Sequence, residues 1–259
     1  MDRSLRSEAW RPVILAGCLA ALPCAARADL YVRSPLVEYR ELEFEHYGFY
    51  GLDRKGSPFD GGQSYVAAVG YGVLPFWKVE VEPETGNLPG GAVRYLATTI
   101  ENTFQLTPDG KYFANLGLFV EYTHSAVDHL PSSFAFGPII QKQLYGVAGL
   151  DSLHTLNVFL SREVGHDHTN GTGLFYAAQS KVLLNRLFNP GVEAFGSIGD
   201  VAHAGRYSEQ EHSVGPVITG EYLIAPYGKV KYELGYQIGL TRQTVRDGIR
   251  WKLEYEIAF

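Results

Sequence analysis

The chain ends Trp251-Lys252-Leu253-Glu254-Tyr255-Glu256-Ile257-Ala258-Phe259, and the reading of this stretch decides the fold. Trp251, Leu253, Tyr255, Ile257 and Phe259 alternate with Lys252, Glu254, Glu256 and Ala258. A strict period of two is the side-chain repeat of a β-strand, not of a helix. The segment before it uses the same device: Val230, Tyr232, Leu234, Tyr236, Ile238 and Leu240 fall on one face, Lys231, Glu233, Gly235, Gln237 and Gly239 on the other. Both are long enough to cross a bilayer as tilted strands. In a soluble sandwich the apolar row would pack on a second sheet, whereas in a transmembrane barrel it meets lipid and the polar row is enclosed. Aromatic residues near the ends of the apolar row, and small or charged residues in the other, favour lipid.

Working back along the chain, alternating segments fall near residues 41–50, 63–72, 77–84, 94–106, 113–123, 133–144, 153–164, 172–184, 191–200, 212–224, 228–240 and 248–259. Tight turns are expected at Leu74-Pro75-Phe76, Thr107-Pro108-Asp109-Gly110, Asn189-Pro190-Gly191 and Pro226-Tyr227-Gly228. Longer polar loops are expected over residues 53–62, 83–91, 125–132, 165–171, 202–211 and 242–247. Turns and loops that alternate in length predict an all-β, antiparallel up-and-down transmembrane barrel of about twelve strands over residues 41–259. The short segment near 77–84 and the untidy connection over 145–151 leave about ten strands as the alternative count. Gly137-Pro138-Ile139-Ile140 and Gly215-Pro216-Val217-Ile218 resemble each other, and proline in a strand interior predicts a bulge or a strand start at each.

The stretch from Trp251 to Phe259, with Tyr255 and Ile257 behind a final aromatic residue, resembles the carboxyl-terminal signature of Gram-negative outer-membrane barrels. The resemblance implies location in the outer membrane, contact with its lipid, and recognition of the last strand by the barrel-assembly machinery. In architecture alone, the chain is also similar to small outer-membrane proteins of metal-efflux and aromatic-compound operons.

The amino terminus supports an exported protein. Arg3, Arg6 and Arg11 precede an apolar run from Val13 to Ala26, and Ala26-Arg27-Ala28 reads as a cleavage site before Asp29. The run is too short for a membrane helix. Residues 1–28 are therefore expected to be a cleaved signal and residues 29–40 a periplasmic segment. Leu15-Ala16-Gly17-Cys18, which resembles a lipoprotein box, is the competing parse. Both cysteines, Cys18 and Cys24, lie in the expected signal, so the mature chain would have neither a disulfide nor a thiolate metal site. A net charge of −6 argues against nucleic acid as a partner.

With the aromatic row outward, the interior receives Glu41, Glu43, Glu45, Lys78, Glu80, Glu82, Glu101, Glu121, Gln141, Glu163, Lys181, Glu193, Glu221, Lys231, Glu233, Lys252, Glu254 and Glu256. Glutamates well outnumber lysines. Carboxylate rings bias a pore toward cations, so a narrow channel for small polar or cationic solutes is expected. The competing expectation is a plugged structural barrel in which Glu and Lys pair across strands, because an isolated buried charge is costly. Trp77, Tyr232, Tyr236, Trp251, Tyr255 and Phe259 are expected at the membrane interfaces.

No cofactor is expected. Gly165-His166-Asp167-His168-Thr169-Asn170-Gly171 resembles the His-Asp-Ser-Asn-Gly stretch of outer-membrane phospholipase A, which would imply a lipid hydrolase. His168 stands where that family has its serine nucleophile, and His124-Ser125 lacks the His-x-Ser spacing of lipid A deacylases. His166 and His168 are the candidate metal ligands, although imidazole sites want three or four convergent groups.

Overall fold

The structure is a computed structural model that describes residues 30–57, 59–87, 91–224 and 228–259. The expected signal over 1–28 lies outside these residues, as do Pro226 and Tyr227 of one expected turn.

Twelve strands form one closed antiparallel barrel: β1 (Glu41–Leu52), β2 (Gln63–Leu74), β3 (Trp77–Gly86), β4 (Arg94–Gln105), β5 (Asn115–Ser125), β6 (Ser132–Val147), β7 (Leu150–Val164), β8 (Thr172–Leu183), β9 (Asn189–Ile198), β10 (Glu211–Ile224), β11 (Gly228–Gly239) and β12 (Asp247–Ala258). Each strand pairs with its chain neighbour, and β1 closes on β12 over its whole length, from Glu41 opposite Ala258 to Leu52 opposite Asp247. Closure removes every free strand edge, which a lipid environment requires.

The count of twelve settles the strand number because the two doubtful elements both form. β3 continues through Pro83 to Gly86, with a register shift at Glu84 and Thr85, so the loop expected from residue 83 begins later. Between β6 and β7 the chain reverses through Ala148 (φ 54°) and Gly149 (φ 79°). Positive φ at both central residues is what a two-residue hairpin needs; alanine in the first place hid the turn. The Thr107–Gly110 turn sits inside a longer connection over residues 106–114.

The two Gly-Pro pairs overturn one expectation. Pro138 and Pro216 lie in mid-strand, and the registers on either side of them continue without a shift. On one flank the ladder resumes after a two-residue gap, and on the other Pro138 and Pro216 keep partners in Leu118 and Val192. Glycine makes this possible, since a Cβ on Gly137 would sit 2.1 Å from the Val158 carbonyl oxygen. The neighbouring strand closes on the glycine, so no bulge is needed.

Facing follows the alternation. On β12 Arg250, Lys252, Glu254 and Glu256 are buried inside the barrel, while Ile249 and Leu253 are exposed outside. Phe44, Val69, Val81, Ile100, Tyr122, Phe136, Leu156, Ile218 and Leu234 extend that outer row around the barrel. Large apolar side chains outside and carboxylates inside invert the distribution of a soluble protein and match a lipid-facing belt.

Candidate functional site

The lumen has two unlike walls. Across β3, β1, β12 and β11 runs a ladder of opposite charges. Lys78 Nζ lies 2.7 Å from Glu43 and 3.0 Å from Glu80. Lys252 Nζ lies 2.9 Å from Glu45 and 2.6 Å from Glu254. Lys231 pairs with Glu254 at 3.1 Å and also with Glu256, and Lys229 reaches Glu256 at 2.5 Å and Glu41 at 3.3 Å. Further round, Arg250 is held by Glu193 and, at 2.9 Å, by Glu233. On this wall each of these lysines, and Arg250 with them, is paired with glutamates across strands, as buried charges must be, and the glutamates remain in excess.

The opposite wall buries the expected Glu121 and Gln141 together with Thr155, Asn157 and Gln179, and adds an apolar patch that sequence reasoning did not expect. Phe119, Ile139 and Phe159 pack together with Phe175, the first two rings stacked at 4.5 Å. On β5 the interior placement of Glu121 carries Gly117 and Phe119 to the same inner face by the period of two, although Phe119 is apolar.

Between the walls lies the segment placed in the periplasm by the sequence reading. Residues 30–40 instead run into the barrel from the end that carries the short turns. At Arg40 (φ 63°) the chain turns into β1, and its N–H donates to the Gly72 carbonyl at 2.9 Å. Val37 N–H donates to Gln105 Oε1 at 2.9 Å, and Pro35 passes Gly117 so closely that a Cβ there would lie 2.9 Å from the proline Cβ. Deeper in, Val32 packs on Ala177 and Phe195, and Tyr31 stacks on Tyr47 at 5.4 Å with Lys252 Nζ 3.9 Å over its ring.

Arg33 anchors the segment. Its N–H donates to Asn157 Oδ1 at 2.7 Å, and Asn157 Nδ2 donates back to the Arg33 carbonyl at 3.0 Å. The asparagine thus answers one residue of foreign backbone as a neighbouring strand would. The guanidinium grips Glu101 through Nε (3.0 Å to Oε2) and through Nη2, with Glu121 at 3.9 Å. Its Cζ lies 4.5 Å from the Phe119 ring centroid. Arg33 is 4% exposed and Asn157 0%, so the centre of the lumen is filled in this conformation.

Of the residues singled out in the sequence, Glu43, Glu45, Glu80, Glu82, Glu101, Glu121, Lys252 and Glu254 are all buried inward, and Lys231 and Glu233 are partly buried on the same face. Glu82 accepts from the Tyr47 hydroxyl at 2.9 Å, and among the described residues its Oε1 has no hydrogen-bond partner. Trp77, Tyr232, Tyr236, Trp251 and Tyr255 fall on the outer row, but Trp251 pairs with Leu234 in mid-strand and not at a strand end, where an interface residue was expected. Trp77 donates to Asn102 Oδ1 at 3.0 Å, and Phe259 is exposed at the short-turn end. Sequence reasoning missed Arg33, Tyr31, Tyr47, Asn157 and Arg250. One signal pointed to the first: an interior with a surplus of glutamates needs cations from elsewhere.

The histidine candidates stay apart from this interior. His166 and His168 sit in the exposed loop over residues 165–171, where His168 Nδ1 lies 2.7 Å from the Gly165 carbonyl. Among the described residues the ligand groups close enough to hold a metal are Glu41-Glu43-Glu256 and Glu43-Glu45-Glu254, and neither contains a histidine. Ammonium groups of Lys229, Lys78 and Lys252 already sit on those carboxylates. In the long loop before β10, Asp200 is held below its usual carboxylate range by the His203 ring, 2.8 Å away, and by the Ala202 N–H. On the outer face His154 lies between Ser180 Oγ (2.8 Å) and Ser152 Oγ (2.9 Å). Both ring nitrogens are engaged by hydroxyls, and among the described residues no carboxylate bonds the ring to orient it as a triad requires.

No family model and no curated protein matches the chain. Solved structures do. The KdgM porin in complex with disordered oligogalacturonate aligns at a TM-score of 0.47 and 8% identity, over 85% of this chain and 99% of that one. The outer membrane protein Omp33 of Acinetobacter baumannii aligns at 0.43 and 11%, over 86% and 100%. The NanC porin aligns at 0.50 and 12%, over 83% and 100%. The fold of this chain is a closed twelve-stranded antiparallel barrel similar to that of the NanC porin, an outer-membrane barrel fold, with a charged interior crossed by its own residues 30–37.

Proposed function

We propose that this barrel is a narrow outer-membrane channel for small cationic solutes, closed in the conformation described by residues 30–37. One observation carries the reading. Glu80, Glu101 and Glu121 are direct neighbours across β3, β4 and β5, with Glu82 beside them. The guanidinium on Glu101 and Glu121 belongs to the internal segment and not to the wall. Withdrawal of the segment would leave a carboxylate row facing water, which favours cations over anions. The adjoining lysine ladder sets Lys78, Lys229, Lys231 and Lys252 against Glu41, Glu43, Glu45, Glu80, Glu254 and Glu256, so its net charge has the same sign.

The test is electrical. Purified protein in planar lipid bilayers under a KCl gradient is expected to show rare, small current steps. A variant lacking residues 30–37 is expected to show larger and longer ones, with a reversal potential of cation-selective sign. Silence from both proteins, or an anion-selective sign, would contradict the reading.

A further inference from the structure

The place that Arg33 occupies is built like a receptor site. Glu101 meets the guanidinium through both carboxylate oxygens, Oε2 with Nε at 3.0 Å and Oε1 with Nη2. That two-pronged arrangement matches a planar guanidinium; an ammonium group supplies only a point charge. The Phe119 ring lies 4.5 Å beneath Cζ and supplies a cation–π face.

The surrounding charge exceeds what one arginine needs. Glu121 Oε2 stands 3.9 Å away, Glu82 keeps a buried Oε1 without a partner among the described residues, and Glu80, directly across from Glu101, is answered by Lys78 at 3.0 Å. Like charges directly opposite each other in a sheet are destabilising, so a wall that carries them is arranged around a cation. Every one of these groups belongs to β3, β4 or β5. The cradle therefore remains when the segment leaves.

We infer that the Glu101–Phe119 cradle is a guanidinium-binding site of the passage and that Arg33 is its tethered occupant, which a small free guanidinium-bearing solute replaces when residues 30–37 withdraw. The inference rests on the channel reading for its purpose, but the site can be tested without it.

The probe is radiolabelled methylguanidine, equilibrated with detergent-folded protein. Wild type is expected to bind little. Arg33→Ala is expected to bind saturably, and Arg33→Lys, which keeps a charge on the row but loses the fork, to bind to an intermediate degree. Adding Glu101→Gln to Arg33→Ala is expected to weaken binding about tenfold or more, the loss of a charged, two-pronged contact. In bilayers, guanidinium is expected to block Arg33→Ala at concentrations about tenfold below methylammonium, on the same contact. Equal methylguanidine binding by wild type, Arg33→Ala and Arg33→Lys, or binding indifferent to Glu101→Gln, would overturn the site. Currents without methylguanidine binding would remove the site and leave the channel; saturable binding in a barrel that never conducts would do the reverse.

Discussion

Arg250→Met is expected to lower barrel stability by about 3 to 5 kcal/mol, the usual loss when one partner of a buried ion pair is removed. Arg250 is 1% exposed; its Nε donates to Glu193 Oε1, and its Nη2 serves both Glu193 and Glu233. Directly opposite lies Gly235, whose absent Cβ leaves the room: one built there would sit 2.4 Å from Glu193 Oε1 and 3.0 Å from Arg250 Nε. Methionine would fill part of the volume but leave two carboxylates in the lumen without their guanidinium. Gln237, which donates to Glu193 Oε1 at 2.5 Å, is too weak a substitute. The measurement is urea unfolding in lipid vesicles. Adding Glu193→Gln to Arg250→Met should recover much of the loss, because the orphaned charge goes with it. An Arg250→Met barrel as stable as its parent would mean that water, not Arg250, solvates Glu193.

The second large effect lies on the other face. Leu234 is exposed outside the barrel at mid-strand, between Ile218 and Trp251 on the adjacent strands. Leu234→Arg places a charge in the middle of the hydrocarbon and is expected to cost about 2 to 4 kcal/mol, whereas the same change near an interface costs about 0 to 1. Ile224, on the same outer face but at the end of β10, supplies the comparison. Ile224→Arg should fold nearly as well as wild type in the same urea titration. Equal tolerance at the two positions would deny that depth in lipid is what they sense.

How much of this was legible beforehand varied with the chemistry of each row. β11 and β12 alternate cleanly because lipid outside and charges inside impose opposite demands on adjacent residues, and that contrast carried the fold. On β5 Glu121 fixes the inner row, but nothing in the alternation says that Phe119 on that row meets other rings inside the barrel. The lumen glutamates were visible from the same alternation; Arg250, one step before Trp251 on the inner row, was overlooked. Residues 30–40 have no strand period, since they pair with side chains such as Asn157 and Gln105 in place of a neighbouring strand. Nothing local marks such a segment as interior. Its traces lie on the wall that receives it, in the glycines at 72 and 117 and in Glu101 and Glu121, adjacent glutamates that the segment's Arg33 reaches.

Which row meets the acyl chains can be measured residue by residue. A nitroxide is attached to single cysteines placed in turn from Trp251→Cys to Ile257→Cys, with Cys18 and Cys24 replaced by alanine, and its collisions with oxygen and with a water-soluble nickel chelate are compared in vesicles. Oxygen should dominate at 251, 253, 255 and 257 and fall at 252, 254 and 256. The opposite phase, or a profile without alternation, would place the charged row against lipid and undo the barrel as described.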